Sequence, residues 1–209
     1  MKKILSLIMA LMLLALCPAM AETVEETAVQ TQTLVSPNGD YSFDVPLGYI
    51  PMDAEVMLSL FKTEEMQQLL AQAMGLEDAS QLAMYFELMK ANNMMIVYSS
   101  DLLGNLNVQT TEANLTMDML VMLKSVMDAA TIEQYVLMGV AEEDIHPMDI
   151  QEIGGYRWYG MQLTMVGIPM QVMMTVENGV QYTIAFTAIE EAEMLSILES
   201  FKVAEAAAE

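Results

Sequence analysis

The chain has 209 residues, with 29 acidic residues against seven Lys and Arg, and its formal net charge at pH 7 is −22. Nucleic-acid phosphates and anionic membrane surfaces both attract clustered Lys and Arg, so this charge excludes nucleic acid and argues against binding to anionic membranes. One cysteine, Cys17, and one histidine, His146, are too few for the ordinary zinc sites, which take several such ligands.

The first 21 residues are predicted to be a secretory signal peptide. A basic start precedes an apolar run over residues 4–16, and the small residues Ala19 and Ala21 favour cleavage after Ala21. An uncleaved anchor is the weaker interpretation, because the run is shorter than the ~20 residues that span a bilayer. Lipid attachment to Cys17 is disfavoured by the large Leu upstream of it and by Pro18 directly after it. We therefore predict a secreted or cell-envelope protein.

Residues 34–203 are predicted to form a single domain, since no internal repeat or linker divides them. Residues 22–33 are rich in Glu, Thr and Gln, which is typical of a flexible acidic leader, and residues 204–209 are predicted to be a disordered tail. After cleavage five cations remain against all 29 acids, so the mature net charge becomes −24 and no thiol is left.

Short strands are predicted at several places before residue 156. They cover residues 29–35, 41–45, 94–100, 106–110 and 145–153. A strong turn signal over residues 36–40 separates the first two, and Pro46 and Pro51 bracket a predicted loop.

Three helices are predicted in the same part of the chain. Thr63 is a candidate cap for a helix that ends at Gly75, and Asp78 is a candidate cap for a second helix whose apolar stripe reaches Met89. In the third, residues 117–130, four polar or charged side chains interrupt the apolar surface. A helix that is apolar nearly all round is expected to be deeply buried.

Residues 156–203 carry the clearest pattern of the chain. Three strands are predicted there, over residues 156–166, 170–176 and 180–187. Asn178 and Gly179 tolerate the positive φ that a two-residue hairpin needs. A helix with acids in its first turn follows over residues 190–201, and residues 202–203 return along the sheet.

Three short phrases of the sequence resemble a known family. They are Tyr-Ser-Phe-Asp-Val-Pro at 41–46 with Gly48-Tyr49, Gly-Val-Gln-Tyr-Thr-Ile-Ala-Phe at 179–186, and Ser-Phe-Lys-Val at 200–203. In this order they resemble the PsbP-like and DcrB-like superfamily of small exported proteins, which share the fold of a Ran-binding nuclear transport factor. The resemblance implies an α+β domain, with an antiparallel sheet of about six to seven strands and helices packed on it as an α/β/α sandwich. It implies no particular function, since the members have unrelated roles.

Polar side chains on the last two predicted strands indicate whether helices cover both faces of that sheet. Gln171, Thr175, Gln181 and Thr183 are called the polar row here. A sheet with helices on both faces is expected to be apolar on both, so the row predicts a face that is open or partly covered.

The sequence predicts no catalytic residue, cofactor or metal site. His146 follows three acids in what reads as an exposed loop, and no Gly-x-Ser-x-Gly motif or mature thiol is present to work with it. Acids are abundant, so a hydrolase that uses a carboxylate pair stays open as an alternative.

The 24 methionines suggest a second alternative. Thioether sulfur is a soft ligand for Cu(I), and Met94-Met95 and Met173-Met174 are adjacent pairs. Most methionines, however, fall at positions that the patterns assign to the core, where Met fills gaps. Handling of Cu(I) therefore remains an alternative function.

Tyr156, Arg157 and Trp158 form a candidate recognition patch, because Tyr, Arg and Trp are common binding hot spots. The alternative is that the aromatic rings pack under the helices between residues 63 and 90. The predicted function is that of an exported, non-catalytic binding or accessory protein, whose partner is an unidentified protein or small ligand.

Overall fold

Alternating apolar and polar residues build two antiparallel sheets in this chain, because a period of two buries one face of a strand. The computed structural model describes residues 30–73 and 78–204. Its strands are β1 (Thr31–Val35), β2 (Tyr41–Pro46), β3 (Ile50–Met52), β4 (Met95–Tyr98), β5 (Asn105–Glu112), β6 (Ile145–Pro147), β7 (Gln151–Ile153), β8 (Tyr156–Met165), β9 (Ile168–Glu177), β10 (Val180–Thr187) and β11 (Lys202–Val203). Its helices are α1 (Ala54–Leu60), α2 (Glu64–Ala73), α3 (Ala79–Ala91), α4 (Met117–Met122), α5 (Lys124–Leu137), α6 (Glu191–Ser200) and a 3₁₀ helix (Glu142–Asp144).

The main sheet has the strand order β3-β4-β5-β10-β9-β8-β6, and β7 also pairs with β8. A smaller sheet has the order β1-β2-β11. All pairs are antiparallel. The predicted α+β class with helices packed on an antiparallel sheet is thereby confirmed, and the main sheet is one strand larger than expected.

Three groups of buried side chains hold the layers together. On one face, the main sheet packs against the smaller sheet and α6 in a core that includes Phe43, Trp158 and Phe201. The opposite face carries two separate cores, one with Phe86 under α1, α2 and α3, the other with Met161 under α4 and α5. Helices therefore cover the two sides of this face and leave its centre open.

Residues 46–52 contain more regular structure than the predicted loop. β3 forms the edge of the main sheet, where Pro51 is tolerated because an edge strand needs fewer N–H donors. Next, the Asp53 carboxylate accepts a hydrogen bond from the Val56 N–H at 2.8 Å and caps α1, a helix that was not predicted.

The strand predicted over residues 145–153 is two short strands, β6 and β7, which pair with successive parts of β8. Pro147 ends β6, and it cannot donate a ladder hydrogen bond. The Met148 N–H then donates to the Gly160 carbonyl at 3.0 Å and keeps the chain close to β8 before β7 begins.

Several predictions lie outside the described residues. They are the signal peptide, most of the acidic leader, the helix end at Gly75 and the tail at residues 205–209. The end of the leader, from Thr31, belongs to β1. Within residues 30–73 and 78–204, no helix is long and apolar enough to cross a membrane.

Candidate functional site

Two members of the candidate recognition patch lie in or near the interior. Trp158 has no exposed surface, and its indole N–H donates to the Ile153 carbonyl at 3.1 Å. Its ring meets Phe201 edge-to-face at 5.3 Å between ring centres. Tyr156 is half-buried, and its hydroxyl accepts the Val203 N–H at 3.0 Å. Both rings therefore pack in the core beside α6, and not under the helices between residues 63 and 90.

Arg157 points to the opposite face of β8, as alternation along a strand requires. Its guanidinium donates to the Asp118 carboxylate at 2.7 Å, and the Arg157 side chain is 40% exposed. It lines an open cleft of about 330 Å³ between the start of α4 and the Asn178-Gly179 turn. Arg157 is thus the member of the patch whose charged group a ligand could reach.

The polar row is divided between the two faces of the main sheet. In the β9–β10 hairpin Glu177 pairs with Val180, so each even-numbered residue of β9 lies beside an odd-numbered residue of β10. Thr175 consequently pairs with Tyr182 on the face of the aromatic core, where it is fully buried. Gln181 and Thr183 are half-exposed on the other face. The expectation that all four share one face is wrong, because a two-residue turn fixes the opposite parity.

The open centre of the helical face is formed by β5 and β10. Its positions are Asn105, Asn107, Gln109, Thr111, Gln181, Thr183, Ala185 and Thr187. None of these residues is charged, and all are half-exposed or exposed. The prediction of a partly covered face is therefore confirmed, although only Gln181 and Thr183 of the polar row belong to it.

The prediction that the helix over residues 117–130 is deeply buried is wrong. The apolar segment forms α4 and α5, and α5 contains no fully buried residue. The inward side of α5 includes a Lys124–Asp128 ion pair of 2.8 Å, next to Met127 and Tyr135, which are half-buried. A polar pair on the inward side keeps the helix from sinking into the sheet, because burial of charges is costly.

The outward side of α5 also carries apolar residues, in addition to Met127, Ile132 and Tyr135, which pack inward on the core. Residues at i, i+3, i+4, i+7, i+10 and i+11 share this side, which we call the outer stripe: Val126, Ala129, Ala130, Glu133, Val136 and Leu137. Val126 is 63% exposed and Leu137 is 79% exposed. Met122, the last residue of α4, is 82% exposed and precedes the stripe by one turn. Apolar residues on two sides of this segment were visible in the sequence, but the pattern cannot say which side meets solvent.

Acidic side chains lie within the outer stripe and on the element that contacts α5. Glu133 lies within the stripe, and Glu142 and Glu143 are exposed on the 3₁₀ helix that packs against α5. Among the described residues no Lys or Arg forms an ion pair with these three carboxylates. The nearby cations Lys124 and Arg157 are paired with Asp128 and Asp118 instead. Together, α5 and the 3₁₀ helix therefore carry net negative charge, with Lys124 as their only cation.

The adjacent methionines Met173 and Met174 do not point to a common site. Met173 and Met174 face opposite sides of the sheet and belong to different cores. His146 is exposed on β6. Within the part of the chain that the structure describes, no group of three or more His, Cys, Asp or Glu side chains could hold a metal ion.

Burial raises the pKa of several titratable groups, of which Glu193 is the one carboxyl among the described residues. Burial raises the pKa of the Glu193 carboxyl, which accepts a hydrogen bond from the Tyr49 hydroxyl. Burial also raises the pKa of Tyr159 to about 12, and the charge of Asp128 contributes in the same direction. Both groups lie against packed side chains, and neither lines the cleft beside Arg157.

Comparison with known proteins gives likeness at the level of the fold alone. No family model matches the chain, and no curated protein matches it significantly. The solution structure of cyanobacterial PsbP from Synechocystis sp. PCC 6803 matches 88% of this chain and 98% of that chain, at 13% identity and a TM-score of 0.42. A crystal structure of a protein from Bacteroides thetaiotaomicron VPI-5482 matches 84% of this chain at 12% identity and a TM-score of 0.42. The matched region spans 49% of the length of the Bacteroides protein. PsbP bears the name of the superfamily that the sequence phrases resemble, but a likeness this low carries no argument about function.

Proposed function

We propose that the protein is an exported, non-catalytic binding or accessory protein that holds a protein partner against α4 and α5. The observation that carries the proposal is the outer stripe with Met122. Large apolar patches on a soluble protein commonly mark interaction sites. The two most exposed large apolar side chains among the described residues, Met122 and Leu137, lie on this segment together with Val126.

Two further observations support the proposal. The first 21 residues have the pattern of a signal peptide, which supports export. The sequence contains no Gly-x-Ser-x-Gly motif, and His146 is its one histidine, so it shows no pattern typical of a serine–histidine nucleophile.

Affinity capture from the organism's own cell envelope or medium tests the proposal, with residues 22–209 as bait. A stripe variant carries Met122→Gln, Val126→Gln and Leu137→Gln. A matched control carries Met84→Gln, Leu88→Gln and Val166→Gln, which change the same residue types at positions 54–74% exposed. We expect wild type and control to retain a protein that the stripe variant loses, because burial of those three side chains stabilises the complex.

Thermal unfolding must show that both variants fold as the wild type does. Retention of the same proteins by all three baits would contradict the proposal. So would loss of the captured protein from the control and the stripe variant alike, because general surface hydrophobicity would then explain the capture.

A further inference from the structure

The cleft beside Arg157 carries charges of both signs next to apolar side chains. We propose that it binds a small zwitterion of the apolar α-amino acid class, with the ligand's carboxylate on Arg157 and its ammonium group on Asp118. Neither Met122 nor any residue of the outer stripe is among the residues that line this cleft. The site is therefore separate from the surface that we assign to a protein partner.

Three parts of the chain form the walls of the cleft. They are the connection from β5 into α4, the turn between β9 and β10, and Arg157 on β8. The Ala113 N–H donates to the Gly179 carbonyl at 2.8 Å, which joins the first two walls. The Thr116 hydroxyl accepts the Met119 N–H at 3.3 Å and fixes the start of α4. The cleft is thus preformed, and its volume of about 330 Å³ lies at the lower end of the range for small-molecule sites.

Arg157 supplies the anchor for a carboxylate. Its Nη2 donates to Asp118 Oδ1 at 2.7 Å, and within the described residues this is the only hydrogen bond that the guanidinium makes. A guanidinium has five N–H donors, so four remain for a ligand. The Arg157 side chain is 40% exposed, and Arg binds carboxylates through two parallel hydrogen bonds.

Asp118 supplies the counterpart for an ammonium group. One of its oxygens accepts from Arg157, the other has no hydrogen bond among the described residues, and its side chain is 78% exposed. The Arg157–Asp118 pair is neutral as a whole, while each member keeps capacity for hydrogen bonds. Glu177 also lines the cleft, but it has the same parity along β9 as Thr175, so its side chain belongs to the other face of the sheet.

This neutral pair favours a ligand that carries both signs of charge. A ligand with a carboxylate alone would bring a like charge close to Asp118, in a chain whose net charge is −22. A ligand with an ammonium group alone would bring a like charge close to Arg157. A zwitterion offers each member of the pair its opposite charge and, being neutral overall, is not repelled by the chain.

Apolar side chains in the wall indicate the rest of the ligand. Met117 and Val176 are 5% and 7% exposed, and Leu115 is half-buried. Small-molecule sites combine apolar walls of this kind with a few polar groups that fix the ligand's orientation. An apolar side chain on the ligand gains free energy when it leaves water for such a wall. The ligand class that satisfies both parts of the cleft is the apolar α-amino acids.

Isothermal titration calorimetry on residues 22–209 tests the proposal. The probes are L-leucine, L-valine and L-phenylalanine, at concentrations up to about 10 mM so that millimolar dissociation constants are measured. N-acetyl-L-leucine lacks the ammonium group, as does the last residue of a peptide, and L-leucinamide lacks the carboxylate. We expect at least one probe to bind. Both comparators should bind at least about tenfold more weakly than L-leucine, because each leaves one charge of the pair without its counterpart.

Two single variants assign the contacts. Arg157→Gln and Asp118→Asn should each weaken binding of L-leucine by about tenfold or more, since each removes a charged hydrogen-bond partner. Asp118→Asn should not weaken binding of N-acetyl-L-leucine, which has no ammonium group to lose. Matched controls are Lys90→Gln and Glu87→Gln, which remove the same charges from an ion pair on α3 with similar exposure, 45% and 74%. The controls and the stripe variant should bind L-leucine as the wild type does.

Several results would overturn the proposal. One is that no probe binds, and another is that Arg157→Gln binds L-leucine as tightly as the wild type. Equal weakening by the Lys90 and Glu87 controls would mean that net charge, and not the cleft, governs binding. N-acetyl-L-leucine that binds as tightly as L-leucine would assign the cleft to the carboxyl end of a peptide. Because the stripe variant leaves the cleft intact, each of these results is independent of the outcome of affinity capture.

Discussion

Arg157 and Trp158 are neighbours in the chain but lie on opposite faces of β8, so they contribute to the protein in different ways. Trp158 fills the centre of the aromatic core and also satisfies the Ile153 carbonyl. Arg157 forms an ion pair with Asp118 in which both side chains are substantially exposed. Exposed ion pairs contribute little to stability, whereas buried aromatic rings contribute much.

Substitution of Trp158 by alanine should therefore lower stability much more than substitution of Arg157 by alanine. We expect Trp158→Ala to lower the free energy of unfolding by about 3–5 kcal/mol, because it leaves a large cavity and an unpaired carbonyl. Arg157→Ala should lower it by about 1 kcal/mol or less. Urea unfolding of both variants measures the difference. Similar losses, or no loss for Trp158→Ala, would return Trp158 to the candidate recognition patch.

At the scale of elements, the β7–β8 turn lies directly against the C-terminal end of α6. Gly154 and Gly155 both have positive φ, at +63° and +87°. A Cβ at Gly154 would lie 2.6 Å from the Leu198 carbonyl oxygen and 2.9 Å from that of Glu199. A Cβ at Gly155 would meet nothing within 4 Å. A side chain at Gly155 would therefore cause backbone strain alone, whereas one at Gly154 would cause strain and a steric clash.

Gly155→Ala should lower the free energy of unfolding by about 1–2 kcal/mol, the usual penalty for a left-handed alanine. Gly154→Ala carries the same penalty and must also move α6 away from the turn, so we expect a further loss of about 1–3 kcal/mol. Thermal and urea unfolding of both variants measure this difference. Equal losses would show that the turn and α6 are not in close contact.

The β9–β10 turn and the outer stripe show which features of the structure could be predicted from the sequence. Asn178-Gly179 identifies a two-residue hairpin, and that loop length already requires even-numbered residues of β9 to pair with odd-numbered residues of β10. The split of the polar row followed from local geometry and could have been derived. The exposure of α5 could not, because both its sides carry apolar residues and only tertiary packing decides which side is covered. A helix that looks buried in sequence and is exposed in the structure is what makes this surface a candidate site.

Over the whole molecule, acidic residues far outnumber basic ones. The chain has 29 acidic residues and a net charge of −22, and the described residues contain three ion pairs, all at least partly exposed. Packing of apolar side chains in three cores must therefore stabilise the fold against repulsion between carboxylates. Such repulsion is stronger in a compact chain than in an expanded one.

Salt should consequently stabilise the mature protein at pH 7. Sodium chloride screens repulsion over distances longer than about 10 Å at 0.1 M, so we expect the melting temperature to rise steadily from low salt towards 0.5 M. Loss of the ion pairs to screening works in the opposite direction, but exposed pairs are worth about 1 kcal/mol or less each. The matched control is the same titration near the sequence pI of about 4.1, where net charge approaches zero and the gain should largely vanish. Differential scanning calorimetry measures both series. A melting temperature that is flat or falls with salt at pH 7, or that rises equally at both pH values, would show that repulsion between carboxylates does not limit the stability of this fold.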